Sequence, residues 1–184
     1  MACTFITNGR PLDCKDSVGG LKAVYFVQFD ETSDVGFVKG GSDTCTAITT
    51  AGTAYKYELK GNSNLEQTIN SSRENGTTFY EQVLNLTLPK ISQTTSVAIK
   101  LLSASNPQVI VEDYNNDLYL IGKENGTDVT GGTIVTGSAM GDMSGYTLTL
   151  TGMEQAPAYL VSPTTQTATQ WTFSSGNILT IDPN

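Results

Sequence analysis

Histidine is absent from the chain. That removes a Ser-His-Asp triad, a Cys-His pair and every zinc site that needs imidazole. Cysteine is scarce as well. Cys3, Cys14 and Cys45 are the three, and no two form a C-x-x-C pair, so neither a metal knuckle nor a dithiol motif is expected. An odd count leaves at least one thiol unpaired within the chain, which fits synthesis in a reducing cytoplasm. Charge is low, at 15% of residues, and the balance is acidic, with a formal net charge of -8. Such a chain has no phosphate-neutralising patch for nucleic acid. No run approaches the roughly 18 apolar residues of a membrane helix. The opening MACTFITNGRPLDCKD lacks an apolar h-region, so no signal peptide and no membrane anchor are expected. Sequons begin at Asn70, Asn75, Asn85 and Asn125. Without a signal sequence they carry no expectation of glycans.

What is present is Thr, Ser, Asn and Gly around short alternating runs, a composition that suits sheet and turn. Tyr55, Tyr57 and Leu59 alternate with Lys56, Glu58 and Lys60; Tyr146, Leu148 and Leu150 alternate with Thr147, Thr149 and Thr151. A period of two places one set on a buried face and the other on a wet one. The 184 residues are read as a single β-sandwich domain, long enough for one good core.

Residues 1–20 read as an irregular N-terminal arm. LKAVYFVQFD (21–30) is the strongest strand. Ala23, Tyr25, Val27 and Phe29 lie on one face, and Val24, Phe26, Gln28 and Asp30 on the other. Because both faces are largely apolar, this strand is expected at the centre of its sheet. A segment follows at about 34–39. The stretches 40–53 and 61–78 read as long loops, the second mobile in an isolated subunit. Strands are expected at 54–60 and 79–88, the latter closed by Pro89.

One helix is expected, at about 92–104, capped by Ser92 or Thr94 and ended by Asn106-Pro107. Its apolar stripe is Val97, Leu101 and Ala104, with Ala98 and Leu102 beside it. A hairpin turning at Asn115-Asn116 follows, then a loop or short hairpin at 122–132. Two strands joined by a Gly-rich loop come next, then short strands in APAYLV, QWTF and NILTI. The fold class is mainly β, a sandwich or barrel with one flanking helix.

No catalytic constellation emerges. Asp113, Asn115, Asp117 and Glu124 match four positions of a calcium loop, but Leu118 stands where the sharp turn needs Gly, and a hairpin fits better. Glu112 and Asp113 are strand neighbours that point to opposite faces and do not converge on one bond. GSAMGDMSG lacks the Gly-Lys-Ser/Thr of a phosphate loop and precedes a strand, which makes it a turn. Trp171 and Phe173 read as core. No enzyme, metal or cofactor is expected.

Three segments, GGLKAVYFVQFD, NGTTFYEQVLNLTLPKI and GDMSGYTLTLTGMEQAPAYLV, stand in an order that resembles the tail tube (major tail) proteins of tailed bacteriophages. The resemblance spans most of the chain and lies in layout rather than in a diagnostic motif. It implies a sandwich or barrel subunit that self-assembles into hexameric rings, which stack into a tube through which DNA passes without specific binding. It also implies a place in the virion tail, assembly in the host cytoplasm, and tape-measure, terminator and sheath proteins as partners. The mixed face of 79–88, with Glu81, Asn85 and Thr87, is the first candidate for the lumen wall. Lys56, Glu58 and Lys60 are the second. Asn62, Asn64, Arg73, Glu74, Asp142 and Met143 are candidates for loops between subunits. An acidic, hydroxyl-lined lumen would repel phosphates. Two other classes fit the layout: a carbohydrate- or surface-binding module of a tail tip or fibre, with its site at Trp171, and a head-tail joining or capsid decoration protein.

Overall fold

The computed structural model describes Arg10 and residues 15–29, 36–40 and 43–183. Most of the expected N-terminal arm, with Cys3 and Cys14, lies outside the described residues, as does Asp30. In chain order the strands are β1 (Leu21–Val27), β2 (Phe37–Lys39), β3 (Thr44–Ile48), β4 (Gly52–Glu58), β5 (Asn64–Ser72) and β6 (Thr77–Pro89). The helix α1 (Gln93–Leu102) follows. Then come β7 (Gln108–Asp113), β8 (Leu118–Ile121), β9 (Asp128–Val135), β10 (Gly145–Glu154) and β11 (Tyr159–Val161). The chain closes with β12 (Thr165–Gln166), β13 (Gln170–Thr172) and β14 (Ile178–Asp182). The described residues are mainly β with one helix, as the sequence predicts.

β1 organises everything else. It lies between β4 and β7, antiparallel to both, inside a ten-stranded sheet of order β12-β13-β14-β4-β1-β7-β8-β11-β3-β2. Its alternation feeds two cores. Ala23, Tyr25 and Val27 enter one with Trp171, Phe173, Ile48 and Cys45. Val24 and Phe26 enter the other with Leu84, Leu86, Tyr146 and Leu150. A strand with apolar residues on both faces can sit only where both faces are covered.

The large sheet rolls around its first core. β3 and the β13–β14 turn are far apart in strand order, yet the Ser174 amide donates to the Thr46 carbonyl at 3.0 Å. Asn177 Nδ2 donates to the Ile48 carbonyl at 2.9 Å. Tyr25 and Trp171 meet edge to face inside the roll, ring centroids 4.7 Å apart.

The second core lies between this sheet and a four-stranded antiparallel one of order β5-β6-β10-β9. Polar staples join the layers. The buried Gln82 accepts from the Gly122 amide at 3.1 Å. The buried Glu154 accepts from the Glu124 and Asn125 amides at 2.9 and 3.0 Å. Each satisfies a backbone donor that would otherwise be left unpaired in the β8–β9 turn.

Two expected loops are strands. The stretch 61–78 holds β5, which pairs with β6 from Asn64↔Asn85 to Ser72↔Thr77 around Asn75-Gly76, with Gly76 at φ +64. An Asn-Gly turn between Thr- and Asn-rich runs is a hairpin signal, and it decides the conformation here. The stretch 40–53 holds β3, whose Cys45 and Ile48 are buried.

The helix also differs from expectation. Its cap is Ser92, whose Oγ accepts the Thr95 amide at 3.1 Å. Its expected inward stripe is turned outward. Val97 and Leu101 are exposed, while Ile99 and Leu102 rest partly on the second core. The cause is a polar anchor. Tyr146 Oη donates to the Ser92 carbonyl at 2.9 Å and lies 2.6 Å from Ser96 Oγ. Those bonds fix the rotation of α1 about its axis.

Candidate assembly surface

Pairing places every second residue of the four-stranded sheet on one face. The inward face carries Leu84, Leu86 and Leu88 from β6 and Tyr146, Leu148 and Leu150 from β10. On the outward face, β6 contributes Glu81, Val83, Asn85 and Thr87, and β10 contributes Thr147, Thr149 and Thr151. β5 adds Asn64, Glu66, Thr68 and Asn70.

Hydroxyls and amides bond across the strands. Asn85 Nδ2 donates to Asn64 Oδ1 at 3.5 Å, and Thr149 Oγ1 donates to Asn85 Oδ1 at 3.0 Å. Thr133 and Thr147 hydroxyls lie 2.7 Å apart, and those of Thr130 and Thr151 lie 3.1 Å apart. Asn70 Nδ2 donates to Glu81 Oε2 at 3.4 Å. Cross-strand polar pairs of this kind hold side chains in register. Glu66, Glu81 and Asp128 are the charges on the strand positions of this face, and Lys and Arg are absent from those positions.

Among the described residues the sheet is open at both edges. β5 ends it on one side and β9 on the other. Both are long and largely exposed. Of the natural devices for blunting an edge, neither strand contains Pro or Lys, and β9 carries one register shift, at Thr130.

The predicted residues fall in distinct places. Glu81, Asn85 and Thr87 share the outward face of β6 with the threonines of β10. Lys56 and Glu58 stand on β4 in the other sheet, joined by an ion pair of 2.8 Å. That lysine hydrogen bond holds the Glu58 carboxyl below the usual carboxylate range. Lys60 follows just beyond that strand. The two sets of lumen candidates therefore lie in different sheets. Asn62 and Asn64 lead into β5, where the Asn62 carbonyl accepts the Thr87 hydroxyl at 3.1 Å. Arg73 and Glu74 form the β5–β6 turn. Asp142 and Met143 lie in the β9–β10 turn. There Asp142 Oδ2 accepts the Ala139 and Ser138 amides at 2.7 and 2.9 Å, which lowers its pKa.

Asp113 spends its carboxylate on the β7–β8 hairpin, accepting the Asn115 and Asp117 amides, each at 2.8 Å. Glu112 points the other way, with Oε2 2.5 Å from Tyr25 Oη. Trp171 is buried and offers no platform to a ligand. The edge strand β5 and the threonine rows of β9 and β10 are what sequence reasoning left out of the surface. For β5 the stronger signal was the Asn75-Gly76 turn, and for β10 it was the alternation of Thr147, Thr149 and Thr151 with Tyr146, Leu148 and Leu150.

Comparisons with family models, with curated proteins and with solved structures return no match. No helix among the described residues is long and apolar enough to cross a membrane.

Proposed function

We propose that this chain is a structural subunit that closes into rings through its four-stranded sheet, as a bacteriophage tail tube protein does. The observation that carries the reading is the sheet itself: two open edges, one apolar face on a core and one acidic, hydroxyl-rich face without cations.

Strand direction supports ring closure. Order β5-β6-β10-β9 with antiparallel neighbours makes β5 and β9 run in opposite senses. A rotation that sets β9 of one copy beside β5 of the next therefore continues the antiparallel alternation without a fault. Contact between two different edges is heterologous, and it yields a closed ring when the rotation closes. Closure abolishes both edges at once.

Within such a ring the outward face of each sheet becomes a wall. Glu66, Glu81 and Asp128 would repel phosphates, and the threonines would stay hydrated, so DNA would slide rather than bind. Rings stack through the projecting turns at 73–76 and 136–144. The role is non-catalytic. Its partners are other copies of the chain and the tape-measure, terminator and sheath proteins of a tail, and its place is the virion.

Negative-stain electron microscopy at several concentrations, with mass measured in parallel, tests the reading. Rings or hollow tubes are expected. A dispersed monomer at every concentration would overturn it.

A further inference from the structure

The helix α1 carries apolar residues on more sides than its core contact uses. Ile99 and Leu102 rest partly on the second core, yet Val97 is 53% and Leu101 66% exposed. Beside Leu101 runs a groove of about 1150 Å³ lined by Phe26, Tyr55, Tyr57, Leu102 and Pro107, and among the described residues none that lines it is charged. A helix with this much uncovered apolar surface belongs against something.

The position of α1 identifies what covers it. Tyr146 holds Ser92 and Ser96 on the inward side of the four-stranded sheet, and Tyr146 pairs with Ile134 on the edge strand β9. The first turn of α1 therefore stands over β10, the strand between β6 and the β9 edge. Ile134 shares the inward side with Tyr146 and is 61% exposed. At the opposite edge, Ile69 pairs with Tyr80, faces the same inward side, and is 64% exposed. Each edge thus carries an uncovered isoleucine on the side where α1 sits.

We propose that the outward face of α1 and its groove are the seat of a second copy of this chain, the one whose β5 edge adds to β9. The inference rests on the ring reading and names the apolar contact that would accompany strand pairing. Charge favours the same occupant. Copies of net charge -8 repel one another. They can therefore approach at least cost where both surfaces are uncharged, as the described lining of the groove and the two isoleucines are.

Leu101→Glu tests it, with Ile134→Lys as a second variant at the strand edge. Both side chains are mostly in water in the isolated subunit, so circular dichroism and thermal midpoint of the dispersed protein should match those of the unaltered chain. Concentration-dependent sedimentation is expected to show assembly weakened about 100-fold or more, the size of a hot-spot loss. Amide exchange in α1 should slow on assembly of the unaltered protein. Assembly of Leu101→Glu at the unaltered concentration, or α1 amides exchanging equally in assembled and dispersed protein, would overturn the inference and leave ring formation standing. Failure of the unaltered protein to assemble would overturn both.

Discussion

Replacing Tyr146 with Phe removes a single oxygen, and the structure says what that oxygen does. The ring is fully buried in the second core, so the apolar packing of Phe is unchanged. The hydroxyl donates to the Ser92 carbonyl at 2.9 Å, accepts the Ser92 amide at 3.2 Å and lies 2.6 Å from Ser96 Oγ. Three bonds at about 1 kcal/mol each set an upper limit near 3 kcal/mol. Ser92 and Ser96 are only half-buried and can take water in exchange, which brings the expected loss to about 1–2 kcal/mol. The loss should be local. α1 has ten residues, none of them buried, and a helix that short is marginal alone. Hydrogen exchange of the α1 amides should therefore accelerate about tenfold, since 1.4 kcal/mol is a factor of ten. Amides of β1 and β7 should change little. Unaltered α1 exchange in Tyr146→Phe would refute the anchoring argument and assign the helix to Ile99 and Leu102 packing instead.

Tyr25, Tyr57 and Tyr119 have raised pKa values, chiefly because burial disfavours the phenolate, with the Glu112 hydrogen bond adding to the effect at Tyr25. Their contribution to stability is intact below the unfolded tyrosine value of about 10 and is lost as pH rises above it; tyrosinate absorbance should show a late component that appears with unfolding, and its absence would contradict the burial. Burial pushes the Cys45 thiol up to about 11, so native protein at pH 8 should resist alkylation there, with modification of Cys45 appearing only in denaturant by peptide mass mapping. Gly122 sits at φ +65, and a Cβ there would lie 2.5 Å from the Gly126 carbonyl carbon, so Gly122→Ala should lower unfolding free energy by about 2 kcal/mol or more in a urea titration.

Much of this fold is legible in the sequence because single residues have only one workable place. Val24 and Tyr25 are adjacent and both apolar, which makes β1 central, although the length of the chain suggested one core where the structure has two. Ser92 before a run of helix-compatible residues marks the start of α1. Thr147, Thr149 and Thr151 between Tyr146, Leu148 and Leu150 announce a sheet with one wet face. β5 is harder to see because its burial is slight. Leu65 is half-buried and Ile69 exposed, so the hydrophobic contrast that signals a strand is weak, and the Asn75-Gly76 turn is the stronger cue. The outward turn of Val97 and Leu101 is not legible at all. Five apolar residues within α1 fit several faces, and the choice is made by hydrogen bonds from Tyr146, more than forty positions away in the chain. The candidate surface divides along the same line. Alternation places Glu81, Asn85 and Thr87 together, but only strand order reveals that Lys56 and Glu58 belong to a different sheet.

Ring closure on the proposed reading has a consequence for how assembly depends on concentration. An open chain of copies gains one junction per added copy and loses translational and rotational freedom each time, a cost of about 4–15 kcal/mol. Each junction returns backbone bonds along β5 and β9, net about 0.5–1.5 kcal/mol apiece because water already serves those groups in the free subunit. Burial of Ile69, Ile134, Val97 and Leu101 adds to that, at about 1.5–3 kcal/mol for each side chain fully covered. A single junction must meet that cost alone. The closing contact differs, because both its edges already belong to one particle and no further copy is immobilised. Closed rings should appear at the expense of free subunits, with dimers and open trimers scarce throughout. Mass photometry across a dilution series should give two populations, and abundant dimers at intermediate concentration would mean that the edges meet in a symmetric pair rather than head to tail.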